Sequence, residues 1–315
     1  MIRITAPSRL HFGLMNAGNL PGQPSFGGLG LMIESPAVVV SIECASEWNV
    51  IGPFAERVLD SARKVVAAFK SNERFHMTVE ACPPAHIGLG VGTQLALATC
   101  QAVCLQLSQE RTPQELALWA GRGKRSAIGV EGFDSGGFIF DQGKGDHEAL
   151  GYTQRYDWPD EWKIVLARPH TTAIWHGDSE VEAFARSRHP DACIRVSENL
   201  RNLAIDTVIP ALADLDFELF GEALYEFNRA AGKAFAEDQG GMYSSPEVEA
   251  LIAWIRNRGI PGVGQSSWGP TIFAICRNES EADRIASELK LVFPHLEHVS
   301  VTNGSNTGFR YEAIN

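Results

Sequence analysis

The sequence predicts an α+β protein built as two domains, and three observations carry this. The chain has 315 residues, more than one domain of ordinary size. Short β-branched runs and longer helical periodicities occur in both halves. A cluster of Tyr, Asp, Trp and Pro at 151–160 separates the halves, which puts one domain at 1–157 and the other at 158–315.

Taken in order, residues 2–5 and the run AVVVSIEC at 37–44 predict strands, with a Gly- and Pro-rich loop from Asn16 to Gly30 between them. Residues 54–70 place Val58, Ala62, Val65, Val66 and Phe69 at helical spacing. The segment FHMTVEAC puts Phe75, Met77 and Val79 on one face of a strand. Next comes PPAHIGLGVGTQLALATCQAVCLQL: a proline-bounded entry, a glycine-rich turn and a long Ala/Leu helix. Thr112 and Pro113 open a second helix as cap and first position. Residues 123–140 are glycine-rich and end in the apolar run GGFIFD. In the second half WKIVLARP predicts a buried strand. Leu200, Leu203, Val208 and Leu212 predict one or two amphipathic helices over 195–235. Ser245 caps a further helix that begins at Pro246. TIFAIC, ESEADRIASELKLVF and LEHVSVT then give strand, helix and strand.

Composition narrows the function. Hydrophobic residues make up 44% and charged residues 21%, the balance of a chain that buries a core. No apolar stretch approaches the roughly 18 residues of a membrane span. Arg3 and Arg9 interrupt the N-terminal segment, which lacks the apolar core of a secretory signal. The expectation is a cytoplasmic protein with no membrane association. A net charge of −11 argues against nucleic-acid binding, whereas local basic residues can still hold a phosphorylated metabolite. None of the six cysteines forms a CxxC pair. Cys100 and Cys104, four apart on a helix, are expected as small buried residues rather than ligands. His170 and His176 are six apart and predict no metal site.

Four segments carry chemistry. Gly88, Gly90 and Gly92 alternate through a turn that leads, with Thr93, into a helix. Glycines let the backbone approach a ligand closely, and a helix N-terminus presents amides to an anion. The same turn can be purely structural, and it is neither a Walker A loop nor a dinucleotide fingerprint. The segment Gly121–Gly137 sets Arg122, Lys124, Arg125, Ser126 and Asp134 among glycines: an oxyanion grip with a base or metal ligand, or a solvated basic loop. Gly264, Gln265, Ser266, Ser267 and Trp268 precede the strand TIFAIC and make either a ligand wall or an ordinary loop. Arg9 and His11 alternate at the end of the first strand, so they share a face, either toward a ligand or on an edge-strand surface. His86, two residues before the glycine turn, serves equally as a capping, packing or catalytic group.

In this order the segments resemble the GHMP superfamily, which includes galactokinase, homoserine kinase, mevalonate kinase and mevalonate diphosphate decarboxylase. Its three motifs align with Ala6–Gly13, Pro84–Thr93 and Gly262–Pro270. SRLHFGL, HIGLGVGTQLAL, GRGKRSAIGVEGFDSGGFIFD and GQSSWGPTIFAI resemble more specifically the β-ribofuranosylaminobenzene 5′-phosphate synthase family. Gln94, where the kinases usually have a small residue, points the same way. Val91 departs from the Ser usual at its position, which removes one hydroxyl that could contact phosphate or Mg²⁺.

The resemblance implies a GHMP-type fold: an N-terminal domain like ribosomal protein S5 domain 2, a ferredoxin-like C-terminal domain, and a site between them. It implies a pentosyltransferase that joins 5-phosphoribosyl-1-diphosphate to 4-aminobenzoate or 4-hydroxybenzoate. The reaction releases CO₂ and diphosphate and forms a C-riboside on the route to methanopterin. Mg²⁺ is the implied cofactor, with Asp134 as its ligand, and a homodimer is the implied assembly. Asp134, Arg9, Arg125 and His11 are then catalytic. Gly88, Gly90, Gly92, Thr93, Gln94, Arg122, Ser126, Gly264, Gln265, Ser266, Ser267 and Trp268 bind phosphate or substrate. The alternatives are an ATP-dependent small-molecule kinase on the same fold and a non-catalytic metabolite-binding protein.

Overall fold

Alternating burial along extended segments builds the first sheet. β1 (Ile2–Leu14) pairs antiparallel with β2 (Gly28–Ala45). β2 is long enough to serve further neighbours. Its second half pairs with β4 (Arg74–Ala81) and its first half with β5 (Phe138–Asp141). β3 (Asn49–Ile51) runs parallel to β4, and β6 (Thr153–Tyr156) lies antiparallel to β5. The computed structural model describes residues 1–16, 20, 22–145, 148, 150–170, 190–234, 236 and 241–314; His176 lies outside them.

Two helices cover this sheet. α1 (Ala55–Ala68) contributes Val58, Ala62 and Val65, and α2 (Val91–Gln106) contributes Leu97, Cys100, Val103 and Cys104. These pack in one core with Val40, Ile42, Phe75 and Met77. Both cysteines are fully buried, and burial pushes the Cys104 thiol up to about 11, so it packs as an apolar group. α3 (Pro113–Ala120) starts at a capping box formed by Thr112 and Glu115 and stops at Gly121, whose φ of 66° ends the helix. The glycine-rich block also contains a helix that its composition hides: α4 (Ile128–Ser135). A Cβ at Gly132 would run into the Met32 side chain, so glycine lets α4 lie directly on β2.

The second sheet has the order β10 (His298–Asn303), β7 (Lys163–Arg168), β9 (Ile272–Cys276), β8 (Gly262–Gln265), all antiparallel. Its side chains alternate between two cores. Val165, Ala167, Ile272, Ala274 and Cys276 face α8 (Pro246–Arg256) and α9 (Glu279–Val292). Ile164, Leu166, Phe273 and Ile275 join the main core instead. There they meet α5 (Pro190–Leu203), a short π-helical turn over Ala204–Val208, α6 (Ile209–Ala213) and α7 (Phe217–Ala234). Ser245 caps α8 by accepting from the Val248 amide at 3.2 Å. No helix among the described residues is long and apolar enough to cross a membrane.

The chain passes from the first sheet to the second between Tyr156 and Lys163. The last strand, β11 (Arg310–Ala313), then returns to pair with β1, so the far end of the chain completes the first sheet. Where the two halves meet, Trp158, Trp162, Phe138, Phe217 and Phe220 interlock, with Phe220 at 5.1–5.9 Å from three of these rings. Edge-to-face packing of this kind adds to plain burial. Phe220→Ala is expected to cost about 3–5 kcal/mol, because it opens a cavity in that cluster. Urea unfolding measures this as a lower midpoint at unchanged slope.

Candidate active site

One serine hydroxyl ties three distant segments together. Ser266 is fully buried. Its Oγ accepts the amide of His11 at 3.0 Å and donates to the carbonyl of Gly88 at 2.7 Å. Ser267 donates its amide to the carbonyl of His11 at 2.8 Å, and Arg9 donates its own to Leu89 at 3.0 Å. Asn228 on α7 adds a second brace. Its amide donates to the carbonyls of Phe12 (2.7 Å) and Gln265 (2.8 Å), and its Oδ1 accepts the Gln265 amide. The end of β1, the glycine turn and the β8–β9 loop are therefore one hydrogen-bonded unit.

The glycine turn is shaped as an anion cradle. Gly88 and Gly90 have φ of 86° and 67°, and Gly90 caps α2 in the left-handed region. Among the described residues, no amide from Gly88 to Gly92 donates a hydrogen bond. The Thr93 and Gln94 amides bond to Gly90, which closes the first turn of α2 behind the cradle. A Cβ at Gly90 would come within 3.2 Å of the Arg9 Nε, and one at Gly92 within 3.4 Å of an Arg122 guanidinium nitrogen. An arginine thus stands on each side of a helix N-terminus, the geometry that favours a phosphate or carboxylate. Val91, in the place of the expected hydroxyl, is buried.

The cradle opens into a cleft of about 1000 Å³ between α1, α2, the 121–126 loop, α7 and the β8–β9 loop. Its lining combines two chemistries. One is cationic: Arg57 and Lys64 from α1, and Arg122, Lys124 and Arg125 from the loop after α3. The other is mostly apolar or aromatic: Leu14, Ala231, Met242, Tyr243 and Trp268. Arg9 and His11 also line it. The carboxylates in the wall are Glu56 and Asp60, and Asp60 is paired with Lys64 at 2.6 Å.

Burial tunes two of these groups. Desolvation, aided by the nearby charge of Arg57, lowers the pKa of Arg122, although a guanidinium stays charged. The Nε of Arg122 is buried and has no hydrogen-bond partner among the described residues. His11 is held well below the ordinary histidine range, first by burial and then by Arg9. Its Nδ1 accepts the Gly13 amide at 3.2 Å, so the neutral ring carries its proton on Nε2.

The structure brings together Arg9, His11, Gly92, Thr93, Arg122, Arg125, Ser126, Gln265, Ser267 and Trp268 on the cleft wall. Five others sit behind it. Ser266 is the buried bridge, and Gly88 packs on the Ser266 carbonyl. Gly90 gives room to Arg9. Gly264 leaves space for the Asn228 amide, and Gln94 is buried with its Nε2 donating to the Gly129 carbonyl at 2.9 Å, which pins α4 to α2. Asp134 stands apart from these. It does not line the cleft, and both its oxygens accept from Arg111, which also contacts Gln101. The pair joins α4 to the segment before α3.

Arg57, Lys64, Asn228 and Tyr243 are cleft residues that motif reading missed. Arg57, Asp60, Ser61 and Lys64 share one face of α1, so a helical wheel shows a polar stripe, but not what it faces. Asp141 was also missed. It is buried and accepts the Ala127 and Gly143 amides at 2.7 and 3.0 Å, which anchors the loop carrying Arg125 and Ser126.

Three outcomes follow from this geometry. Ser266→Ala leaves a buried amide and carbonyl without their shared partner and is expected to cost about 1–3 kcal/mol, read in a denaturant melt. Asp134→Asn is expected to lower stability by a similar ~1–3 kcal/mol while ligand affinity in the cleft changes less than about twofold; a large affinity loss contradicts the placement. The folded-state pKa of His11 lies below its unfolded value of about 6.5, so the unfolded chain takes up the extra proton as pH falls. Stability is therefore lost below about pH 6.5, by up to ~1.4 kcal/mol per pH unit, and His11→Gln should flatten that slope in melts from pH 5 to 7.

Residues 208–295 match the family described as GHMP kinases C terminal. Solved structures with the same fold include a putative homoserine kinase from Listeria monocytogenes, at TM-score 0.69 and 15% identity over 100% of both chains. The L. major mevalonate kinase in complex with R-mevalonate has TM-score 0.72 and 15% identity over 96% of both chains. At these identities the likeness concerns the fold. The beta-ribofuranosylphenol 5′-phosphate synthase of Archaeoglobus fulgidus is 28% identical, over 99% of this chain and 100% of its own. That of Methanothermobacter thermautotrophicus is 30% identical over 97% of each chain. With a GHMP fold, a glycine cradle between two arginines and this full-length similarity, the chain belongs to the beta-ribofuranosylphenol 5′-phosphate synthase family, a family of enzymes.

Proposed function

We propose that this enzyme joins phosphoribosyl diphosphate to 4-hydroxybenzoate with loss of CO₂ and diphosphate, forming a C-riboside 5′-phosphate for methanopterin synthesis. One observation carries the reading: the polarity of the cleft. Six cationic side chains and two carboxylates line it in a protein of net charge −11, together with flat and apolar side chains. A sugar bearing several phosphates suits the first set and an arene the second. The phenol in the relatives' names favours the hydroxy acid over 4-aminobenzoate.

The bond changes balance without an added oxidant or base. The C1–O bond of the sugar breaks and its electron pair leaves with diphosphate. The ring carbon bearing the carboxylate bonds to C1. The bond to the carboxylate carbon then breaks, its electrons return to the ring and CO₂ departs. The cradle amides with Arg9 and Arg122 stabilise the leaving diphosphate, the step where negative charge grows. Tyr243 and Trp268 offer flat faces for the arene, and the neutral Nε2–H of His11 is a donor that stays uncharged at neutral pH. Depressed basicity suits a group that orients substrate rather than one that delivers a proton.

Among the described residues no group of three or more His, Cys, Asp or Glu converges, and Asp134 is bonded to Arg111, so no all-protein cage for Mg²⁺ is built there. Mg²⁺ enters this reading as the counter-ion carried in by the diphosphate, since Mg²⁺ commonly binds through substrate phosphates.

The test is incubation with phosphoribosyl diphosphate, Mg²⁺ and either benzoate, following CO₂ and diphosphate. Stoichiometric release with 4-hydroxybenzoate is the expected result. Faster release with 4-aminobenzoate reverses the acceptor assignment. ATP consumption with a polyol or amino-alcohol panel identifies a kinase, and binding without turnover a metabolite-binding protein. Arg9→Gln is expected to lower kcat/KM about 10²- to 10³-fold, the usual effect of removing one placed donor from developing charge.

A further inference from the structure

The cleft holds more positive charge than the glycine cradle uses. Arg122 reaches it because Gly121 terminates α3 in the left-handed region and the Arg122 amide folds back onto the Ala117 carbonyl at 2.8 Å. α1 begins at Phe54, a non-glycine residue with φ of 61°. That turn sets the Phe54 ring beneath the guanidinium of Arg57, 5.6 Å from centroid to Cζ. An aromatic face under a guanidinium fixes its plane and leaves its edge for a ligand.

Neither arginine is neutralised. Among the described residues, neither Arg57 nor Arg122 forms an ion pair with a carboxylate. Asp60, the wall carboxylate on the same helix face, is paired with Lys64. Arg57 is also close enough to Arg122 to disfavour its charge. Two like charges in one cleft, both without a counter-charge, are stabilised by a bound dianion.

Resting on the reading of the cleft as a sugar-phosphate site, we propose that Arg57, with Arg122 shared between it and the glycine cradle, forms a second anion subsite that takes the 5-phosphate monoester. The cradle and Arg9 then take the 1-diphosphate, and the sugar lies between the two poles. The elements support this division: the cradle sits at the N-terminus of α2 with Arg122 beside Gly92, whereas Arg57 stands on a different helix, α1, that also lines the cleft. Phosphate monoesters and guanidinium pairs match in charge and in bidentate geometry. Arg57 belongs to none of the glycine-rich segments, and its place in the site comes from the packing of α1 on α2.

The test uses the full chain and calorimetric binding of three probes in Mg²⁺ buffer: inorganic diphosphate, ribose 5-phosphate and phosphoribosyl diphosphate. Arg57→Gln is expected to weaken ribose 5-phosphate and phosphoribosyl diphosphate by roughly 10- to 100-fold, the range for losing a charged hydrogen-bonded contact. Diphosphate binding should change less than about twofold, which also shows that the variant is folded. Arg57→Lys, which keeps charge but not the fork, should fall between. Equal weakening of diphosphate and ribose 5-phosphate, or no weakening of phosphoribosyl diphosphate, overturns the second subsite while leaving the sugar-phosphate reading intact. Failure of the wild-type protein to bind phosphoribosyl diphosphate overturns both.

Discussion

The site depends on the hydroxyl of Ser266. It accepts from one strand and donates to the glycine turn, so a residue of the C-terminal half sets the distance between two parts of the N-terminal half. Buried where water cannot compete, such a bridge is costly to break and fixes geometry rather than merely adding stability. Asn228 reinforces it from α7 with three bonds of its own. No amide from Gly88 to Gly92 donates among the described residues, whereas the carbonyls of Gly88, Leu89 and Gly90 each accept a bond. Donors are left over, acceptors are not, and an anion is the complement.

Electrostatics reinforces that asymmetry. The chain as a whole is acidic, yet its cleft gathers arginines and lysines with few carboxylates to offset them. Local charge in a partly dry cleft outweighs a distant net charge, because screening through solvent is strong over about a Debye length and weak inside the site. The cost is visible at Arg122, whose burial and charged neighbour both disfavour its ionisation. A structure that keeps such a group unpaired stores a preference for anionic ligands.

The same fold carries small-molecule kinases and a decarboxylase among its solved relatives. The fold therefore does not name a reaction, and the site must. Here the local features are Val91 in the cradle, Gln94 bonded to Gly129, and Asp134 bonded to Arg111. The glycine-rich segment thus plays two parts: Asp134 clamps α4, and its basic loop lines the cleft. Asp141 plays the matching part inside, holding the Ala127 and Gly143 amides with a buried carboxylate.

The sequence by itself determined what depends on neighbours along the chain. The caps at Thr112 and Ser245, the alternation of Ile164 to Ala167 between two cores, and the turn at Gly88–Gly92 follow from bonds and periodicities a few residues long. The α+β class and the shared face of Arg9 and His11 follow from the same short-range rules. Only the tertiary structure decided what each polar residue faces. Asp134 meets Arg111 at a separation of 23 residues, Ser266 meets Gly88 at 178, and β11 closes the first sheet from the far end of the chain. Long-range pairing depends on which surfaces pack together, and many partners satisfy the same residue type equally well. Chemistry written in contiguous residues is therefore readable from sequence, whereas chemistry assembled across elements is fixed only when the core closes and chooses one partner for each buried donor and charge.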